Sequence, residues 1–186
     1  MKNRFSVRRI AALSVLCAGA LVAFAIENLF PSFIVPGGKI GIGNVFVMLA
    51  LIVLGNAEAF VLVIVKSTLG CLIVGNMGAL MYSLTGGVAA CVVSVGLVSV
   101  FKKAFSLTAV CVVSAVVNNL VQCAVFYLVT KSAATAAYLP YLLLTGGASG
   151  AVVGIAVTLI IKKIPTTYFE RMSSLKKEDR VGTEKR

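Results

Sequence analysis

Long apolar stretches, separated by short polar or glycine-rich breaks, dominate the chain. A run of about 20 apolar residues is long enough to cross the hydrocarbon core of a bilayer as a helix. The pattern predicts an all-α integral membrane protein, a bundle of about six transmembrane helices. These helices are expected over residues 10–26, 40–54, 57–74, 79–100, 105–129 and 138–161, the second being short.

The composition agrees with a lipid environment. Hydrophobic residues make up 60% of the 186 residues and charged residues 12%, with a mean hydropathy of +1.05. A soluble domain is about half apolar and about a quarter charged. The chain therefore lacks the polar surface that a water-soluble fold needs on all sides.

The net charge of +11 is placed in a way that predicts orientation. Fourteen of the 17 lysines and arginines lie in residues 1–9, at Lys102 and Lys103, or in residues 162–186. Basic segments stay on the cytoplasmic side of a membrane. We therefore expect a cytoplasmic N-terminus (1–9), a transmembrane domain (10–161) and a cytoplasmic tail (162–186) in the cell membrane. This placement argues against nucleic-acid binding.

Two alternatives at the chain ends remain open. Residues 2–25, which end in Ala23-Phe24-Ala25, resemble a cleavable signal peptide, and cleavage would leave five helices. The basic tail is either an interfacial segment over 168–177 that contacts anionic lipid or a plain solvated tail.

Polar side chains at membrane depth are the most informative residues. Lys66 lies midway along the third helix, and Asn118, Asn119 and Gln122 lie near the middle of the fifth. Such groups are costly in lipid and usually face a cavity or a partner. We expect them to form the polar floor of a substrate pocket, with Lys66 contacting an anionic or strongly accepting group. The alternative is a structural role, since amides commonly bond across membrane helices.

Residues 27–44 carry several prolines and glycines and predict a non-helical lid over this pocket. Glu27, Lys39 and Asn44 would belong to the lid, although an ordinary connecting loop is the alternative. Tyr82 and Ser83 would supply a wall. They precede the string Thr-Gly-Gly at 85–87, which recurs at 145–147 and is interpreted first as a packing motif.

The first helix is rich in small residues, and two pairs are spaced four apart. Small residues at this spacing allow close approach of another helix. We expect this face to dock against a helix of this chain or of a partner protein, through Ser14 and Ala18 and through Gly19 and Ala23.

Catalytic chemistry has little support. The chain has no histidine, one aspartate (Asp179) and no Walker A string. Its five cysteines lie in apolar runs without a Cys-x-x-Cys pair, which is typical of buried small side chains. We expect no catalytic residue, no metal and no cofactor, and therefore not an enzyme. A stand-alone channel also lacks support, because no ring of pore-lining charge is visible.

Several motifs together resemble the Gx transporter family, often labelled heptaprenyl diphosphate synthase component I. They are the Pro- and Gly-rich run at 27–44, Lys66 with Gly70 and Gly75, Tyr82-Ser83-Leu84-x-Gly86-Gly87, Asn119-x-x-Gln122, and Tyr138-Leu139-Pro140 before a glycine-rich helix. The resemblance covers residues 10–161.

That family is similar to the substrate-binding S components of energy-coupling factor (ECF) transporters. The resemblance implies a six-helix protein that captures a vitamin-like small molecule, with residues 27–44 as a gate. It also implies partners, namely a transmembrane T component, docked by the first helix, and ATPases. The label itself implies an alternative, a non-catalytic membrane subunit that serves isoprenoid diphosphate synthesis and presents an isoprenoid-like ligand.

Two positions and one motif depart from the family pattern. Lys66 stands where an arginine is usual, and Asn118 stands where a histidine is usual. The strict Ala-x-x-x-Ala docking pattern is replaced by the looser small-residue pairs of the first helix. A lysine is a point charge and lacks the planar fork by which arginine holds a carboxylate or phosphate.

Overall fold

The computed structural model describes residues 7–29, 41–75, 77–100, 106–131 and 139–164, apart from the side chains of residues 8, 28 and 29. This part of the chain is all helical, without a strand. Its helices are α1 (Val7–Leu29), α2 (Gly43–Val53), α3 (Asn56–Val74), α4 (Gly78–Val100), α5 (Leu107–Thr130) and α6 (Leu139–Lys163).

Five of these helices are long and apolar enough to cross a membrane, and α2 is the exception. With 11 residues, α2 is about 16 Å long, about half the thickness of the hydrocarbon core. The predicted fold class, an all-α membrane bundle, is confirmed. Helix α2 begins after the start of the predicted range 40–54, because Gly41 has a left-handed φ of +77°, which is outside the helical region.

Helix α2 lies at the centre of the described bundle. It contacts α1, α3, α4 and α6, whereas α3, α4, α5 and α6 pack one against the next in chain order. Leu49 and Ala50 of α2 are buried in one core cluster with Leu62, Val63 and Val157. A helix this short does not need to span the membrane, because its neighbours cover it.

Helices α5 and α6 approach closely along a glycine stripe. A Cβ atom at Gly150 would lie 2.7 Å from Val112 Cα, and one at Gly154 would lie 2.6 Å from Thr108 Cα. Small residues at a spacing of four let two helix backbones meet in this way. In the sequence this stripe is Gly146, Gly150 and Gly154, at a spacing of four residues.

The end of the bundle at which α1 and α3 begin holds a buried ion pair that was not predicted from the sequence. Arg9 Nη2 lies 2.5 Å from Glu58 Oε1 and donates a hydrogen bond to the Leu54 carbonyl at 2.8 Å. Both charged residues are buried. Arg9 was assigned to the basic terminus, but α1 begins at Val7 and carries Arg9 into the bundle. The pair ties α1 to the turn between α2 and α3.

We predict that Glu58→Gln and Arg9→Ala each lower the stability of the purified protein strongly. Removing one partner leaves the other charge buried, which costs about 3–5 kcal/mol. Thermal unfolding in a mild detergent measures the loss. The double variant Arg9→Met/Glu58→Met should be closer to the wild type than either single variant, and Lys162→Ala, at an exposed position, should be neutral. Single variants as stable as the wild type would contradict the prediction.

Candidate functional site

A partly open cavity lies between the helices and reaches from the middle of the bundle to the end at which α1 ends. We call it the polar chamber. Its polar lining residues lie at the end of α1, near the beginnings of α2 and α4, and near the middles of α3, α5 and α6. All six described helices contribute, and the lining is Phe24, Glu27, Gly41, Asn44, Lys66, Ser83, Gly87, Ala115, Asn118, Asn119, Gln122 and Ser149.

Lys66 is the buried cation of this chamber and is held by α2. It is 9% exposed, and its ammonium donates a hydrogen bond of 2.6 Å to Asn44 Oδ1. The lysine stem packs directly against the start of α2, since a Cβ atom at Gly43 would lie 3.4 Å from Lys66 Cδ, an ordinary contact distance. The first turn of α2 therefore fixes the position of the ammonium in the chamber wall.

The described ends of the expected lid are helical. Glu27 belongs to α1, which continues to Leu29, and Asn44 belongs to α2. The Glu27 carboxylate accepts a hydrogen bond from the Ile42 backbone N–H, a donor that the start of α2 would otherwise leave without a helical partner. Glu27 and Asn44 thus line the side of the chamber and are not part of a loop. Lys39 lies outside the described residues.

The three amides of α5 divide into two roles. Asn119 Nδ2 donates to the Leu142 carbonyl of α6 at 2.8 Å, which is a bond between helices. Gln122 Nε2 donates to Asn118 Oδ1 at 3.1 Å, along the same face. The Gln122 side-chain carbonyl accepts no hydrogen bond from any described residue, and it belongs to the chamber lining. The amide cluster therefore keeps an acceptor for a ligand.

The two Thr-Gly-Gly strings flank this cluster from opposite sides. A Cβ atom at Gly86 of α4 would lie 2.9 Å from Asn118 Oδ1, and one at Gly146 of α6 would lie 2.7 Å from Asn119 Nδ2. Because the first glycine of each string has no side chain, an amide of α5 fits against it. The interpretation as packing motifs is right, and the packing partner is the polar cluster itself.

Ser83 lines the chamber, whereas Tyr82 does not belong to the described lining. The Tyr82 ring packs edge-on against Phe126 of α5, with centroids 5.8 Å apart. Consecutive residues of a helix point about 100° apart, so they do not share a face. The described lining therefore includes Ser83 of this predicted wall, and Tyr82 stays a prediction.

The small-residue pairs of α1 also divide between two faces. Ser14 and Ala18 are exposed. Gly19 lies directly against the Phe46 ring of α2, and Ala23 is buried. The Gly19 and Ala23 pair is therefore used inside the bundle, and only Ser14 and Ala18 stay available as a docking face.

Sequence reasoning missed some of the chamber. Phe24 lines it, and its ring fills the space beside Gly70, because a Cβ atom there would lie 2.7 Å from Phe24 Cδ1. Ser149 of α6 lies four residues after Thr145 and one turn from the second Thr-Gly-Gly string, a spacing that could have singled it out.

A family profile described as heptaprenyl diphosphate synthase component I matches residues 16–160. The chain belongs to this family. The match includes every described residue that lines the polar chamber, so the chamber is part of what the family profile covers. A comparison with curated proteins finds no match.

We predict that Gly146→Ala disturbs the amide cluster while Gly147→Ala does not. The new methyl group at position 146 would meet Asn119, and overpacking typically costs about 1–3 kcal/mol. A Cβ atom at Gly147 meets nothing within 4 Å, and alanine favours a helix over glycine. Thermal unfolding of the two variants is the measurement. Equal stabilities of the two variants would show that the close contact at Gly146 does not affect the free energy of unfolding.

Proposed function

We propose that this chain is the membrane-embedded substrate-binding subunit, similar to an ECF S component, of a small-molecule uptake transporter in the cell membrane. Separate ATPase partners would supply its energy. The observation that carries the proposal is the polar chamber itself. It gathers Lys66 and the α5 amides inside a bundle whose exposed side chains include many large apolar ones, such as Val15, Val100 and Leu144.

Polar groups at membrane depth are energetically costly. A lysine at the centre of a membrane helix costs about 2.5–3.5 kcal/mol on insertion scales, and polar groups at this depth usually mark a substrate pathway. A structural role explains Asn119, whose amide donates to a carbonyl of α6. It does not explain a cavity lined by Lys66 and the Asn118–Gln122 pair, whereas a ligand site does.

Each residue then has a distinct role. Lys66, positioned by Asn44, would attract an anionic or strongly accepting group. Gln122 and Asn118 would form hydrogen bonds with a second polar group of the ligand, and Ser83 of α4 would contact the ligand as well. Glu27 and Lys39 would stand at the entrance. With both termini cytoplasmic, as the distribution of basic residues favours, this end of the bundle would face outward.

Uptake against a gradient would require partners. The sequence carries no Walker A string, so ATP hydrolysis would come from separate ATPases, coupled through a T component. Ser14 and Ala18 present small side chains on an exposed face of α1, which suits docking of a transmembrane partner helix. Membrane lipid would cover the rest of that face.

The family description favours a second candidate function. The chain would then be a non-catalytic membrane subunit associated with heptaprenyl diphosphate synthesis, which presents an isoprenoid-like substrate to a soluble synthase. The lack of histidine and of an Asp-rich segment supports a non-catalytic role in either case. The two candidates differ in the identity of the partner protein.

Mass spectrometry of the gently purified protein would separate these candidates, recording bound small molecules and co-purifying proteins together. Co-purification of ATPases with a second membrane protein, or a bound vitamin-like molecule, is the expected result. A bound prenyl lipid with a prenyl synthase, and no ATPase, would replace the uptake proposal with the second candidate.

We predict that Lys66→Ala weakens binding of the molecule so identified by at least about tenfold. A hydrogen bond to a charged group contributes about 1.5–3 kcal/mol, and 1.4 kcal/mol is a factor of ten. Equilibrium binding to the purified protein is the measurement. Lys66→Arg keeps the charge and should lose less, and the exposed Lys162→Ala should lose nothing. Unchanged affinity of Lys66→Ala would remove Lys66 from the site.

A further inference from the structure

A second cavity lies beside the polar chamber, and its character is different. We call it the apolar chamber. Most of its lining consists of aliphatic or thiol side chains, among them Val47, Met48, Val63, Ala90, Cys91 and Cys111. Among its described lining residues there is no charged side chain.

The two chambers are adjacent. Gly41, Asn44, Gly87, Ala115 and Ser149 line both of them. Gly87 presents no side chain at this boundary, and the nearest atom to a Cβ placed there would be Val63 Cγ1 at 3.0 Å. The boundary between the chambers is therefore formed mostly by small side chains.

The same change from polar to apolar occurs along α4 and α5. On α4 the lining residues run from Ser83 through Gly87 to Cys91 and Ser94, at steps of three or four residues. On α5 they run in the opposite direction from Gln122 through Asn118 and Ala115 to Cys111.

Steps of three or four keep residues on one helix face, so the combined cavity follows the bundle axis. From Ser83 to Ser94 this path is about 16 Å long.

The lining of the apolar chamber includes two hydroxyl groups that bond to each other. Ser94 Oγ and Ser114 Oγ lie 2.5 Å apart, and Ser94 also donates to the Ala90 carbonyl. These hydroxyls therefore do not require a polar group of a ligand. Water fills a cavity stably when it finds two to four polar partners, and the wall of Val47, Met48 and Val63 offers none.

We propose that the ligand is an amphiphile. Its polar, anionic head lies in the polar chamber near Lys66, and a short uncharged apolar tail extends between α4 and α5 into the apolar chamber, as far as Ser94. This inference rests on the proposed function, because it assumes that the polar chamber binds a ligand. It adds the second half of that ligand, which a purely hydrophilic solute would lack.

Chain-length dependence of binding tests the inference. The probes are inorganic phosphate and n-alkyl monophosphates from methyl to octyl, with a parallel set of n-alkanoates. They are titrated against the wild-type protein in lipid nanodiscs, and protein-free nanodiscs serve as the blank for partition into lipid. We expect affinity to rise about fourfold per methylene, the equivalent of about 0.8 kcal/mol, until the tail reaches Ser94.

A filling variant locates the tail. Ala90→Leu adds volume to the apolar chamber alone, since Ala90 does not line the polar chamber. It should remove the chain-length dependence and leave the affinity for methyl phosphate unchanged. The matched control, Ala124→Leu, makes the same change at an exposed position of α5 and should behave as the wild type. Ala90→Val makes a smaller change and replaces Ala90→Leu if that variant does not fold.

The outcomes separate this inference from the proposed function. Equal affinity for methyl and octyl probes would overturn the inference and leave the polar site intact. A chain-length dependence that persists in Ala90→Leu would also overturn it, because the tail would then lie elsewhere. If no probe binds, and Lys66→Ala equals the wild type, the anion site fails and the inference fails with it.

Discussion

The hydrogen bond from the Lys66 ammonium to Asn44 joins the middle of α3 to the first turn of α2, inside a bundle whose solvent is lipid. A cation at this depth must be enclosed by polar partners, because hydrocarbon cannot solvate it. The lysine stem packs against Gly43, the residue before Asn44. This contact therefore places a helix too short to span a membrane at the centre of the fold, where it meets α1, α3, α4 and α6.

The second half of the bundle is organised around α5 by glycine. The first glycine of each Thr-Gly-Gly string packs against an amide side chain of α5. Gly150 and Gly154 allow the α6 backbone to approach the α5 backbone closely. The same amides therefore hold the helices together and face the chamber. Packing and recognition are not separable here, since Asn119 bonds α6 while its neighbour Asn118 bonds Gln122 in the lining.

Polar groups occupy distinct levels along the bundle axis. The Arg9–Glu58 pair lies at the end at which α1 and α3 begin, the Ser94–Ser114 pair lies deeper, and the polar chamber lies nearer the opposite end. A polar cavity beside an apolar one suits the amphiphilic ligand proposed above, with its polar head near Lys66. Membership of the heptaprenyl diphosphate synthase component I family is compatible with such a ligand, in transport or in presentation to a synthase.

The sequence by itself determined the helices and the depth of the polar residues, because spanning length and the cost of polar groups in lipid are local properties of the chain. Lys66, Asn118 and Gln122 stand out in the sequence as polar residues at membrane depth for this reason. Only the tertiary structure decided which face of each helix meets which neighbour. Tyr82 turned away from the chamber and Phe24 turned into it, and apolar helices carry no signal of their rotation about their own axes. That rotation is set by contacts between residues far apart in the chain, such as Gly70 with Phe24 or Arg9 with Glu58.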